Sequence, residues 1–352
     1  MKSIRQTVFA FSALVMTFAP GCVTDPATVA PVVPVPSAKG VYIVNEGNFG
    51  RGNASLSYYD LETFRLYNDV FGAVNGKVLG DVAQGMVIRN GAGYIVVNNS
   101  ARIEIVSVAT NVSLGTIPTG SGTSPWQIVF VNDSIALVSD FYGNQVLVVN
   151  TTSRTVTGSI PVGPNPQGIA LANGKAYVAN NGFGSGKTVS VILLSSMTSL
   201  TTITVGDSPS SLVVTPGGVV DVLCGGSYGD YADPNDDTPA KITVIDPASD
   251  AIVGTMLIGG HATTMAVGSD GIGYVPSTDE VLRIDTRINA VSGTFVKGFY
   301  YGIGVEIVSG DVYLSDPKTY IQPGTVSVYS SDGRLRVQFD AGLIPGSFTF
   351  KR

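Results

Sequence analysis

From residue 40 onward, apolar and polar residues alternate in short runs broken by Gly, Asn-Gly and Asp-Gly, and no stretch sustains a 3.6-residue apolar period. That pattern predicts half-buried strands joined by tight turns rather than helices. One unit displays the scheme: Pro166-Gln167-Gly168-Ile169-Ala170-Leu171, a turn at Asn173-Gly174, Ala176-Tyr177-Val178-Ala179-Asn180, a loop, Val189-Ser190-Val191, a second turn, then Leu200 to Val205. Four strands fit into about 41 residues.

The unit recurs. A first-strand anchor returns at Met86, Ile128, Ile169, Leu212, Met265, Val305 and Phe348, at spacings of 42, 41, 43, 53, 40 and 43 residues. A second-strand anchor returns at Tyr42, Tyr94, Ala136, Tyr177, Asp221, Tyr274 and Tyr313. A four-stranded repeat of this length is the size of a β-propeller blade. The second-strand series opens with no first strand ahead of it, and the first-strand series ends at Pro345-Gly346-Ser347-Phe348-Thr349-Phe350 with nothing behind it. The tail would therefore supply the innermost strand of the blade begun by Val41 to Phe71, closing the ring and covering two sheet edges. The expected fold class is all-β, a seven-bladed β-propeller over residues 40–352 with mixed N- and C-terminal strand closure. A linear solenoid of the same units would leave both ends uncapped.

Ahead of the repeats, Lys2 and Arg5 precede an apolar run from Val8 to Phe18 that is too short to cross a bilayer as a mature helix. Residues 1–21 read as a signal peptide. The run ends at Ala19-Pro20-Gly21-Cys22, which resembles a bacterial lipobox, with Ala19 and Pro20 in place of the usual Leu and small residue. It implies cleavage before Cys22 and lipidation of that cysteine; an ordinary secretory signal with an incidental Cys is the plainer alternative. Residues 22–39, carrying Pro26, Pro31, Pro34 and Pro36, read as an extended tether. The expected location is the cell envelope, at the outer membrane through the lipid anchor only, facing either the periplasm or the exterior.

Composition narrows the chemistry. Lys and Arg number 20 against 26 Asp and Glu, a net charge of −6, and no basic stripe stands out, so nucleic acid is not an expected partner. One His and two Cys leave no His-rich metal centre, haem attachment or disulfide framework, and no cofactor is expected. Cys224, inside the apolar run from Val219, reads as an inert buried thiol.

The pattern P-x-x-I-A-x-x-N-G-x-x-Y-V-A-N, then V-S-V-I, then I-x-V-G, resembles the YVTN repeat of YncE-like propellers, and the repeats cover about residues 40–350. The segment Val41-Tyr42-Ile43-Val44-Asn45-Glu46-Gly47-Asn48-Phe49, followed by Gly80-Asp81-Val82-Ala83-Gln84-Gly85-Met86, resembles surface lipoproteins of Bacteroidetes. That group includes cobalamin-capturing propellers partnered with TonB-dependent transporters. The resemblance implies the propeller and offers cobalamin and such a transporter as candidate ligand and partner; no ligand-contact motif carries over.

In a four-stranded blade, the loop between second and third strands and the loop leaving for the next blade emerge on one face. The opposite-face turns are short and plain, as at Asn90-Gly91, Asn132-Asp133, Asp270-Gly271 and Asp332-Gly333. The first face collects Phe49, Trp126, Phe141, Tyr142, Phe183, Tyr228, Tyr231, Phe299, Tyr300, Tyr301 and Tyr320, interleaved with Asn48, Asn53, Asn99, Asn144, Asn165, Gln167 and Gln322. Tyr and Trp join a large rigid contact area to a polar tip. This aromatic, amide-rich and uncharged face is the candidate binding surface, suited to a planar or glycosidic ligand better than to an ion. The competing reading packs some of these rings as wedges between blades.

Three further features carry weaker chemistry. The long loop from Gly225 to Lys241 holds Asp230, Asp233, Asn235, Asp236 and Asp237, and its Asp-x-Asn-x-Asp spacing mimics the start of a calcium loop. It lacks the turn Gly and the closing Glu of such loops, and reads as a solvated acidic loop or a lid. His261 follows Gly259-Gly260 on the same face without a nucleophile motif beside it, so it reads as a polar loop contact. Glu306 stands where other repeats place Val or Ala in the inner strand, and must line the channel or be paired.

The leading expectation is a non-catalytic envelope lipoprotein that captures a small molecule, cobalamin or a glycan, and hands it to an outer-membrane transporter. A protein-interaction scaffold using the same face is the alternative. A metal-dependent lactonase or lyase is the third, with Glu306 as its one candidate axial carboxylate.

Overall fold

The computed structural model describes residues 36–229, 233 and 235–352. The signal peptide, the Cys22 lipidation site and all of the tether before residue 36 lie outside them, as do Asp230, Tyr231, Ala232 and Pro234. The described chain forms seven four-stranded antiparallel sheets, the blades of a β-propeller.

Six blades follow chain order: 83–118, 125–161, 166–204, 209–257, 266–297 and 302–343. We call them the second to seventh. The first is composite. Pro345–Lys351 pairs antiparallel with Gly40–Asn45, setting Phe348 opposite Ile43 and Phe350 opposite Val41, and the sheet continues through Ser55–Asp60 and Arg65–Tyr67. The expected closure is therefore the observed one. Every anchor of the two repeat series falls in its assigned strand except Met265, which lies one residue before the short strand Ala266–Val267. The tail is also fastened sideways: Tyr313 of the seventh blade meets the rings of Phe348 and Phe350 at 5.8 and 5.3 Å.

The core is a series of layers between neighbouring blades. Val96, Ile103 and Ile105 of the second blade, for example, pack against Ile128, Ala136 and Val138 of the third. Each fully buried aliphatic side chain contributes roughly 1.5–3 kcal/mol to such a layer. Cys224 ends the strand Val220–Cys224, fully buried, with its Sγ accepting from Gly206 N at 3.2 Å. Burial pushes its thiol up.

One element departs from the strand-only expectation. Val70–Asn75 forms a short α-helix between the first and second blades. Asp69 caps it by accepting from Gly72 N at 3.1 Å, and Gly76, at φ 64, ends it in the left-handed region. The helix buries Val70 and Phe71 against Tyr42 and Tyr58, where the three-residue strand Arg65–Tyr67 leaves the flank of the first blade short. Six residues are too few to register as a helical period. Among the described residues no helix is long and apolar enough to cross a membrane.

Candidate ligand-binding face

The inner strands are interrupted at the same level in five blades. The ladder shifts register between Pro345 and Ser347, Ala83 and Gly85, Pro125 and Ile128, Pro166 and Ile169, and Pro209 and Ser211. A bulge frees residues from the ladder and re-aims their side chains, and the leading prolines sit at the first residue of a strand, where no ladder bond is lost. The freed residues Gly346, Gln84, Trp126, Gln127, Gln167, Gly168 and Ser210 line an axial cavity of about 550 Å³ together with Thr263, Thr264 and Tyr301.

Beside it, loops of the fourth to seventh blades enclose a cavity of about 680 Å³, lined by Phe183, Tyr228, His261, Phe299, Tyr300, Tyr301 and Tyr320. Ser208, Thr263, Thr264 and Tyr301 line both spaces, so the two adjoin as one concave surface, each part within the size range of small-molecule sites. Among the described residues no Lys, Arg or Asp lines either space, and Glu46 is the one carboxylate.

The walls are held from behind. Tyr228 stacks on His261 with ring centroids 3.6 Å apart, and His261 Nδ1 lies 3.2 Å from the Gly225 carbonyl. A carbonyl only accepts, so that nitrogen carries the proton. The Tyr300 and Tyr329 hydroxyls meet at 2.9 Å, and burial pushes the Tyr300 phenol above its usual range. Phe183 (φ 53) and Tyr320 (φ 64) sit in the left-handed region, at a cost of about 1–2 kcal/mol each. Asn181 fixes the first of these turns, accepting from Gly184 N at 2.9 Å and donating to Ser208 Oγ at 3.0 Å. Asn48 Nδ2 donates to the Tyr320 carbonyl at 2.7 Å, tying the first blade's loop to the seventh's.

The predicted aromatic residues divide into groups. Tyr228, Phe299, Tyr300, Tyr301 and Tyr320 share the larger cavity. Trp126, Phe141, Tyr142 and Phe183 form a ridge of contacting rings, Trp126 stacked on Phe141 at 4.9 Å and Phe183 edge-on to Phe141 at 5.0 Å. One end of this ridge, Trp126, lines the axial cavity and the other, Phe183, lines the larger one. Phe141 itself is buried as a wedge, while Tyr142 and Phe49 stand exposed and line neither space. Tyr231 lies outside the described residues.

Glu306 does not reach this face. It accepts from Val308 N and Ser309 N, closing the turn after its strand, and pairs with Arg352 at 2.7 Å, which makes it structural. In the acidic loop, Asp233 Oδ1 is occupied by the backbone and side-chain nitrogens of Asn235 at 3.0 and 2.7 Å. Among the described residues no three His, Cys, Asp or Glu side chains gather as a metal site.

Sequence reasoning passed over Glu46. It follows the strand Gly40–Asn45, is partly buried, and accepts the Tyr301 hydroxyl at 3.0 Å on each oxygen. Burial pushes its carboxyl up to about 7 despite that bond. A signal was present: the fourth residue after the second-strand anchor is Asn98, Asp140 or Asn181 in the next three blades, all hydrogen-bonded within the ring, and only here is it the longer Glu.

Fold and cavity together define a β-propeller whose loops on one face build an aromatic, concave surface with one carboxylate, Glu46, among the described residues that line it. Residues 39–224 match the family described as Domain of unknown function (DUF5074), more than half of the chain, and the chain belongs to that family. No curated protein matches it. Among solved structures it is similar to a quinonprotein alcohol dehydrogenase-like protein from Bacteroides thetaiotaomicron, 16% identical with a TM-score of 0.69, over 90% of this chain and 79% of that one. It is also similar to a protein from Lactobacillus plantarum, 13% identical with a TM-score of 0.67, over 89% and 99%. A third likeness is to hydrazine synthase from Kuenenia stuttgartiensis, 16% identical with a TM-score of 0.63, over 75% and 88%. At these identities the likeness is one of fold.

Proposed function

We propose that this propeller is a non-catalytic binding protein of the cell envelope, anchored through Cys22, that captures a ring-bearing solute and hands it to an outer-membrane transporter. The solute is a glycan or a corrinoid. The observation that carries the reading is the larger cavity, walled by Phe183, Tyr228, Phe299, Tyr300, Tyr301 and Tyr320 and lined by hydroxyls and backbone but by no Lys or Arg among the described residues. Aromatic faces stack on sugar or macrocycle rings, and hydroxyls and backbone groups fix their orientation. The lipobox resemblance supports the location, and the lipoprotein resemblance supports the hand-over.

Isothermal titration with a panel of oligosaccharides and corrinoids tests it. One class should bind with micromolar Kd or better, weakened tenfold or more by Tyr228→Ala and by Trp126→Ala. A panel with no binder overturns the reading. A docking scaffold is the second reading, supported by Phe49, Tyr142 and Ile321, which stand exposed on loops of this face outside both cavities. An envelope protein captured equally with and without the small-molecule panel would favour it.

A further inference from the structure

We infer that the open side of Glu46 is the seat for a protonated amine on the ring of the bound solute, so that the preferred ligand is an amino sugar in a saccharide chain. The inference rests on the binding reading above and adds the chemical group that the floor of the site selects.

Glu46 is released from the structural duty of its counterparts. Asn98 Nδ2 donates to the Pro125 carbonyl at 3.0 Å, Asn181 Nδ2 to the Pro209 carbonyl at 3.3 Å, and Asp140 accepts from Ser124 N at 2.7 Å, each holding the start of an inner strand. Glu46 makes that link with its backbone carbonyl instead, accepting from Ala83 N at 3.2 Å. Its side chain is left to the axial cavity.

There the carboxylate is under-served. Its two oxygens share one hydroxyl, that of Tyr301, and none of the ion pairs among the described residues includes it. A carboxylate has about four acceptor positions, and one hydrogen cannot fill them. Space beside it is kept clear by Gly346, where a Cβ would lie 2.4 Å from Glu46 Oε1. The backbone of Gly346 has no positive φ, so what its missing side chain provides is room. Tyr301 and Tyr320, with ring centroids 6.1 Å apart, place aromatic faces nearby, and such faces attract cations. A protonated amine supplies three donors and the missing positive charge at once. An anionic solute would find no Lys or Arg on either cavity wall among the described residues.

The test compares the glucosamine trisaccharide with its fully N-acetylated counterpart, titrated into the full chain at pH 7 and low salt. Wild type should bind the free-amine form at least tenfold more tightly, and Glu46→Gln should bring the ratio of the two Kd values close to one. Gly346→Ala, which pushes a methyl group against the carboxylate, should lower the ratio as well and decides the matter if Glu46→Gln does not fold. A ratio near one in wild type, or a ratio that survives both variants, overturns the seat while leaving the aromatic face a saccharide site. No binding of either trisaccharide overturns the seat, and whether the binding reading stands is then settled by the corrinoid arm of the panel.

Discussion

Glu46 and Asp221 are both carboxylates that the fold withdraws from water, neither has an ion-pair partner among the described residues, and burial pushes both up to about 7. They differ in where they end. Glu46 opens onto the axial cavity and holds the Tyr301 hydroxyl. Asp221 sits inside the strand Val220–Cys224, fully buried, between Val213 and Val244 on the neighbouring strands, and neither oxygen has a hydrogen-bond partner among the described residues. Glu104 shows the settled alternative: it is as deeply buried but takes Lys77 Nζ at 2.7 Å, Ser113 Oγ at 2.8 Å and Thr116 Oγ1 at 3.1 Å. The same desolvation thus has two meanings. At the cavity it is a cost that an arriving ligand can relieve; inside the blade only protonation or unfolding can relieve it.

Substitution at Asp221 should have the largest effect. Asp221→Leu removes an ionised group with no partner and should stabilise the chain by about 3 kcal/mol at pH 8, read from urea unfolding. The pH dependence follows from the direction of the shift. The folded state holds the Asp221 proton more tightly than the unfolded chain, whose carboxyl titrates near 3.8, so that contribution is complete below about 4 and is lost as pH rises through about 7. Wild type should therefore weaken from about pH 4 to about pH 7, and Asp221→Leu should flatten the slope. A variant no more stable than wild type at pH 8 would end the contrast.

Glu46→Gln should act with the same sign over the window from about 4.5 to about 7, but by only about 1 kcal/mol, because solvent in the cavity screens the charge and Gln still accepts from Tyr301. The two carboxylates share no partner, so the double variant should equal the sum of the singles within about 0.5 kcal/mol, by the same unfolding assay. A larger discrepancy would mean that the sites are coupled through the ring.

Much of this was legible in the chain. The phase of the two anchor series located the closure strand, because a series that starts at Tyr42 and one that ends at Phe348 leave one pairing open. Asp221 was visible as the acidic member of a position occupied by Tyr in five repeats. What was not visible is why this matters. The Tyr42 and Tyr177 hydroxyls reach the turn of the next blade, at Asn111 and Asp250, and an aspartate stops short of that distance. The aromatic face was readable as a set, since loop membership follows from the repeat. Its division into a cavity wall, a ridge and exposed tips depends on left-handed turns at Phe183 and Tyr320 and on bulges that no alternation reveals. Glu46 was hidden because its meaning lies in Tyr301 and Gly346, partners roughly 250 to 300 residues away that only ring closure brings to it.

The smallest effect is expected at Tyr301. Its hydroxyl is the one side-chain donor to Glu46 among the described residues, and Tyr301→Phe removes it while keeping the ring beside Tyr320. A bond to a charged acceptor is worth about 1.5–3 kcal/mol, but water in the open cavity can replace it here, so the loss should stay below about 1 kcal/mol and only at pH values where the acceptor is charged. The sharper readout is the titration itself. The Tyr301 bond favours the ionised carboxyl, so its loss should move the Glu46 midpoint upward from about 7, seen by carbon NMR of labelled carboxyl groups. The Asp221 signal in the same spectrum should not move, since burial alone sets it. An unmoved Glu46 midpoint would remove Tyr301 from the description of the site. A shift of both signals would show that mouth and blade interior are one electrostatic unit, and the distinction between a relievable and an unrelievable carboxylate would fall.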